Sequence, residues 1–313
     1  MKKLYFLLPF ILFGCKSNTS TVGEINYKVS QTEVSDFLKY LSSDELQGRE
    51  TGTKGIEKAA VFLEDFFKEN KIKPYFATYR DTLTNFKSPA YNIVGVLEGT
   101  DPVLKKEFVV LSAHYDHIGL ETKQQADQIN NGANDDASGV TAVAQMAKYF
   151  AKTKSNKRSI LFVFFAGEEK GLLGSESLVE KLKKRNFNLY AQLNIEMIGV
   201  PMKRDYLAYI TGFDKSNMAQ KINEYTGKNT IGFLPKEAEY KLFYRSDNYS
   251  FFEAFGKPCQ SISTFDFENF DFYHHVSDEF KVMDISHMTS FIQEFLPAVT
   301  KIASTPTEEI TMN

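Results

Sequence analysis

The spacing of apolar positions predicts alternating helices and strands along most of the chain. Val34, Phe37, Leu38 and Leu41 fall at helical spacing, which predicts a helix over Thr32 to Tyr40. A stronger amphipathic pattern over Gly55 to Glu69 puts Ala59, Phe62, Leu63, Phe66 and Phe67 on one face. Residues 74 to 80 and 91 to 97 read as strands. Lys106 to Ser112, built on Phe108-Val109-Val110-Leu111, reads as a buried strand. Ser159 to Phe165 is apolar almost without a break, as a parallel strand covered on both faces requires. Further strands are predicted over 189 to 195, 206 to 211 and 259 to 265. Helices are predicted over 138 to 149, 176 to 184, 216 to 225, 249 to 255 and 285 to 302, the last with Pro297 as a kink point. The alternation predicts an α/β layered sheet. No repeat or break in composition divides it, so one domain is expected over residues 31 to 305, followed by a polar tail at 306 to 313.

Composition narrows the class. The 313 residues include 37 Lys plus Arg against 40 Asp plus Glu, a net charge of -3. That balance gives no footprint for nucleic acid. A hydrophobic share of 42% excludes a disordered or fibrous chain. With only two cysteines, Cys15 and Cys259, a disulfide-dense scaffold and a cysteine-rich zinc module are both ruled out. At the N-terminus, Lys2 and Lys3 precede an apolar stretch, Leu4 to Phe13, that is too short to span a bilayer comfortably. It ends in Leu12-Phe13-Gly14-Cys15, which resembles the lipobox of bacterial lipoproteins. That resemblance implies a signal peptide over 1 to 14, lipid on Cys15 and a polar tether over 15 to 30. The protein would then be exported and held on a membrane of the bacterial envelope by acyl chains.

Five polar groups fall at or near strand ends. They are His114-Tyr115-Asp116-His117, Asn134-Asp135-Asp136, Glu168-Glu169, Asn194-Ile195-Glu196, and His274-His275-Val276-Ser277-Asp278. Ligands of open α/β sheets sit beyond the carboxyl ends of the strands. Gathering these carboxylates there crowds like charges, which is costly without a cation. A metal supplies it, and His with carboxylate ligands suits zinc. Taken singly each residue is unremarkable: Asp135 and Asp136 could cap the helix at 138, and Glu168-Glu169 could be a solvated pair. The force of the pattern is its recurrence at one strand end after another. His117 reads as a rim or loop residue, and His287, near the start of the last helix, as structural or solvated.

The strings HYDHIG, NGANDDASGV, FVFFAGEEKGLLGS, LNIEMIG and FYHHVSDEF, in that order over residues 114 to 280, resemble those of the M28 zinc aminopeptidases. The Gly48-Arg49 loop and the helix after it extend the likeness to about 35 to 305. The resemblance implies a three-layer fold, a mixed, mostly parallel sheet with helices on both faces. It also implies two zinc ions bridged by Asp135. His114 and Glu196 would hold one ion, and Glu169 and His274 the other. Glu168 would be the general base. Asp116 would accept the second N–H of His114 and fix its tautomer. The bond between Asp135 and Asp136 would be cis. Two departures stand out: Glu196 where many relatives have aspartate, and Asp136 where asparagine is common.

The activity implied is hydrolysis of peptides at a free N-terminus. A glutaminyl cyclase, which shares the fold and usually uses one zinc, is the alternative. A dipeptidase or carboxypeptidase is a further one, and would need Arg245 or Arg204 for the substrate carboxylate. Tyr244 is a candidate oxyanion donor or pocket wall. Ser246 and Asp247 are expected to shape the pocket, and loops 120 to 130 and 229 to 245 to set it.

Overall fold

The computed structural model describes residues 27–121 and 127–313. The expected lipid site at Cys15, the signal peptide and most of the tether lie outside the described residues. The strands are β1 (Lys73–Pro74), β2 (Arg80–Thr82), β3 (Tyr91–Leu97), β4 (Phe108–His114), β5 (Gly119–Leu120), β6 (Ile129–Asn130), β7 (Ser159–Phe165), β8 (Leu189–Glu196), β9 (Ala208–Ile210), β10 (Ile231–Gly232) and β11 (Cys259–Ser263). The α-helices are α1 (Gln31–Leu41), α2 (Lys54–Glu69), α3 (Gly139–Thr153), α4 (Leu173–Lys184), α5 (Met218–Thr226), α6 (Pro235–Tyr240), α7 (Asn248–Phe255) and α8 (Ile285–Ile302).

The main sheet has the order β1-β3-β7-β4-β8-β11-β9-β10, with β2 also paired to β3. The four central strands β7, β4, β8 and β11 run parallel, and antiparallel pairs of β3 with β7 and β9 with β11 flank them. The fold is therefore the mixed α/β sheet that the sequence predicts. Pleating explains why the central strands are apolar throughout. In β7, Ile160, Phe162 and Phe164 enter one core while Leu161, Val163 and Phe165 enter the other. The first core takes Val34 of α1, Leu63 of α2, Val143 of α3, Ile222 of α5 and Phe295 of α8. The second takes Leu178 and Leu182 of α4 and Phe251 of α7. Phe164 is fully buried and stacks on Phe67 of α2 at 5.3 Å. Its truncation to alanine would cost roughly 3–5 kcal/mol.

Three departures from the expected elements have local causes. The strand expected over 74 to 80 is broken. Pro74 pairs with Gly95 and Arg80 with Ile93, so residues 75–79 bulge opposite Val94 alone. Ser138 does not cap the helix after it; its hydroxyl donates to the Asn134 carbonyl at 2.7 Å. Asp136 takes that role, accepting from Gly139 N–H at 3.0 Å. The last residues, 306–313, are packed on the body: Ile310 is buried and Met312 bridges to Ser216. α8 continues through Pro297 as one helix and is capped by Asp284, which accepts from His287 N–H at 2.8 Å. Among the described residues no helix is long and apolar enough to cross a membrane.

Candidate metal centre

Strand order decides which side chains meet. β7, β4 and β8 are parallel neighbours, so their carboxyl ends emerge together. His114 ends β4 and Glu196 ends β8. After β7 the chain turns at Gly167, whose φ of +74° suits a residue without a side chain, and delivers Glu168 and Glu169. Asp135 lies in the wide turn before α3, and the peptide from Asp135 to Asp136 is cis. His274 comes from the loop after β11.

The five expected ligands converge. Asp135 sits in the middle: its Oδ1 is 3.2 Å from His114 Nε2, and its Oδ2 is 3.2 Å from His274 Nε2. Glu196 Oε2 is 3.5 Å from His114 Nε2. Glu169 Oε2 is 3.2 Å from His274 Nε2. His114, Asp135 and Glu196 thus form one set, and Asp135, Glu169 and His274 another. His117 belongs with the second set. The sequence reading put His117 at the rim, but it is fully buried, with Nδ1 2.9 Å from Glu169 Oε1. Its position at the end of the string that carries His114 was the only signal.

Asp116 corrects one expectation. The hydrogen-bond partner of His114 Nδ1 is the main-chain carbonyl of Asp116 at 3.1 Å, whereas the Asp116 carboxylate stands 3.7 Å away. That carboxylate instead accepts from the Thr51 hydroxyl at 2.9 Å and from Glu168 N–H at 3.2 Å. Thr51 in turn accepts from Gly167 N–H at 3.0 Å. Asp116 therefore orients His114 through its backbone and places Glu168 through its side chain. Asp136 is buried, and its Oδ1 also accepts from Met197 N–H at 2.9 Å, tying the turn to the end of β8. Buried Arg49 donates to the carbonyls of Tyr115, Asn131 and Gly132 at 2.9, 2.6 and 3.0 Å, and also to that of Leu41. No charge pattern in the sequence marks this role.

The charges are strongly coupled. Burial works to lower the pKa of His114, but Glu196, Glu168 and the neighbouring Asp116 and Asp135 carboxylates raise it well above its ordinary value. At His274, burial again opposes, and the Asp135 and Glu169 carboxylates push the imidazole up to about 10. Despite burial, His114 and His274 hold Asp135 below the usual carboxylate range, and His117 and His274 do the same for Glu169. Glu168 goes the other way: burial raises it, His114 opposes, and Glu196, Asp247 and Glu169 raise it further. It is a half-buried carboxyl facing a cavity, with a raised proton affinity.

That cavity has a volume of about 230 Å³. Its polar floor is the ligand cluster with Glu168, and its apolar wall includes Phe265, Phe267, Leu242 and Tyr273. Ser246 lines it as expected, whereas buried Asp247 lies behind, its carboxyl pushed up to about 8 by burial. Arg245 lines the cavity, but Arg204 is tied to Asp266 at 2.9 Å outside it. Tyr244 is not brought in; it is 48% exposed and packs on Tyr249. Loop 229–245 contributes Leu242 and Arg245, while the described part of loop 120–130 does not line the cavity. The aromatic wall lies mostly after β11, in a stretch whose sequence pattern gave no pocket signal.

The donors fit the implied metal. They are imidazole nitrogens and carboxylate oxygens only, in two sets that share one aspartate, among acids that need a cation. The site can hold one or two zinc ions, and the arrangement is consistent with zinc-dependent exopeptidase chemistry. The model of peptidase family M28 matches residues 92–299. The chain belongs to peptidase family M28. It is 30% identical over 193 residues to a probable zinc metalloprotease of Pyrenophora teres, covering 56% of this chain but 40% of that protein. The chain thus spans well under half of that relative. It is 24% identical over 316 residues to a probable leucine aminopeptidase of Trichophyton verrucosum, covering 94% of this chain and 81% of the relative. Among solved structures, the LapA aminopeptidase of Legionella pneumophila superposes with a TM-score of 0.66 at 20% identity, over 89% of this chain and 73% of LapA. A glutaminyl cyclase of Fimbriiglobus ruber does so equally, at 0.66 and 15% identity, over 88% and 96%.

Proposed function

We propose that the protein is a zinc aminopeptidase that removes N-terminal residues from peptides, using two zinc ions and Glu168 as general base. The observation that carries the reading is Asp135 standing between two imidazole–carboxylate pairs, with Glu168 facing the same cavity. Zinc bound there would acidify water and polarise the scissile carbonyl. Glu168 takes the proton from the attacking water and passes it to the leaving amine nitrogen. Asp116 keeps Glu168 in place by accepting its main-chain N–H. The acidic floor attracts the substrate's α-ammonium, and the wall of Phe265, Phe267 and Tyr273 favours an apolar or aromatic first side chain.

The test is a panel of aminoacyl and peptidyl reporters, assayed with and without chelator beside a zinc count. The expected result is chelator-sensitive cleavage of free, but not blocked, N-termini at two zincs per chain. Release of pyroglutamyl product from N-terminal glutamine without hydrolysis would favour the cyclase, and one zinc per chain would agree with it. Cleavage that requires a free C-terminus would favour the carboxypeptidase reading through Arg245.

The lipobox-like Leu12-Phe13-Gly14-Cys15 supports export and a lipid anchor on Cys15, facing the periplasm or on the outer membrane. Labelling with a radioactive fatty acid would follow the wild type into the membrane fraction, and Cys15→Ser would abolish both label and anchoring.

A further inference from the structure

We propose that His117 is a positioning residue that selects which oxygen of Glu169 meets the metal, and so sets the affinity of the second metal position. The inference rests on the metal-centre reading above but not on the reaction assigned to it. The geometry of the two half-sites carries it. Each non-bridging glutamate turns Oε2 toward its histidine partner, Glu196 at 3.5 Å from His114 and Glu169 at 3.2 Å from His274. Each has its other oxygen, Oε1, tied back. At Glu196 the ties are the Ser246 hydroxyl at 2.6 Å and the Asn194 amide at 2.8 Å. At Glu169 the tie is His117 Nδ1 at 2.9 Å. A carboxylate only accepts, so His117 donates Nδ1–H.

The ring is fixed for this task. It is fully buried and packs against Gly132, where a Cβ would come within 2.6 Å of two ring carbons. Its Nδ1 is 3.8 Å from Asp135 Oδ2, farther than the 3.2 Å at which His274 Nε2 meets that atom. His117 does not line the cavity. Its place is therefore beside Glu169 and off the cavity surface. Hydrogen bonds of this kind, made to metal-binding side chains, typically change metal affinity about 10- to 100-fold when lost.

The experiment is a zinc titration with a competing chelator on the full-length wild type, His117→Phe and His117→Asn, with circular dichroism confirming that each variant is folded. Phenylalanine keeps the ring and removes the donor. Asparagine offers an amide N–H on the same carbon as Nδ1. In His117→Phe, one of two zincs should weaken about 10- to 100-fold while the other is unchanged. In His117→Asn the weakened zinc should recover to within about threefold of the wild type. Equal affinities in His117→Phe and wild type would overturn the proposal. So would His117→Asn as weak as His117→Phe, which would make His117 a direct ligand. The titration needs no substrate, so an inactive or cyclising enzyme with this zinc pattern would keep the inference and discard the aminopeptidase. A wild type that binds a single zinc removes the second position, and the inference with it.

Discussion

The Ser246 hydroxyl donates to Oε1 of Glu196 at 2.6 Å, beside the Asn194 amide at 2.8 Å. Asn194 and Glu196 are two residues apart on β8 and so share a face of the strand. These two donors hold the Glu196 carboxylate in place from one side. Ser246→Ala removes one of them. It should weaken the zinc shared by His114 and Glu196 about tenfold, and leave the other zinc alone. Glu196→Asp should do more damage, because the shorter side chain cannot reach both its donors and the metal position. A chelator titration that resolves the two ions checks both variants, and unchanged affinity in both would show that the ties do not matter.

Glu168 is half-buried and faces the cavity but belongs to neither ligand set. Glu168→Gln keeps the shape and removes the basic oxygen. The expected result is two bound zincs, unaltered substrate affinity and a turnover reduced about 10²- to 10⁴-fold. A variant that keeps full turnover would displace Glu168 as the base. Loss of zinc in the same variant would mean that the side chain supports the metals after all.

Much of this centre was readable in the residues. Four of the five ligands come after a predicted strand and Asp135 comes just before a predicted helix, and parallel strand order alone brings three of those strand ends side by side. The residues that hold the ligands were less visible. His117 is one letter in a string already explained by His114. The role of Asp116 depends on whether its carbonyl or its carboxylate lies nearer to His114 Nδ1, a difference of 3.1 against 3.7 Å that no sequence pattern encodes. Phe265 and Phe267 became a pocket wall only because the chain folds back after β11. The bulge over residues 75–79 is not legible because Tyr75, Phe76, Thr78 and Tyr79 all favour strands, while the fold opposes them with a single partner residue.

Metal loading should depend on pH in a defined direction. The Asp135 and Glu169 carboxylates push His274 up to about 10 in the metal-free protein, and His114 is raised as well. A raised histidine stabilises the metal-free fold fully below its ordinary pKa and loses that contribution as pH rises through the folded value. Zinc must displace the proton, so apparent affinity rises with pH until about 10. Each displaced proton contributes about tenfold per pH unit. Calorimetry in buffers of different ionisation enthalpy should find at least one proton released per chain on loading near neutral pH. Zero release would show that both histidines are already neutral.

Asp278 accepts from the main-chain N–H of Asn134 at 2.7 Å and of Asp135 at 3.0 Å, so the loop carrying His274 is fastened to the turn carrying the bridging aspartate. Burial raises its carboxyl to about 7, with these two N–H groups working against the shift. Asp278→Ala would strand two buried donors, at about 1–3 kcal/mol each. The metal-free variant should therefore unfold at clearly lower denaturant, and its zinc should be held less tightly because both ligand-bearing segments are released together. Measuring the pair separates two effects. A loss of stability with unchanged zinc affinity would make Asp278 a fold residue only, whereas the geometry places it between the two segments that must stay in register for Asp135 and His274 to meet.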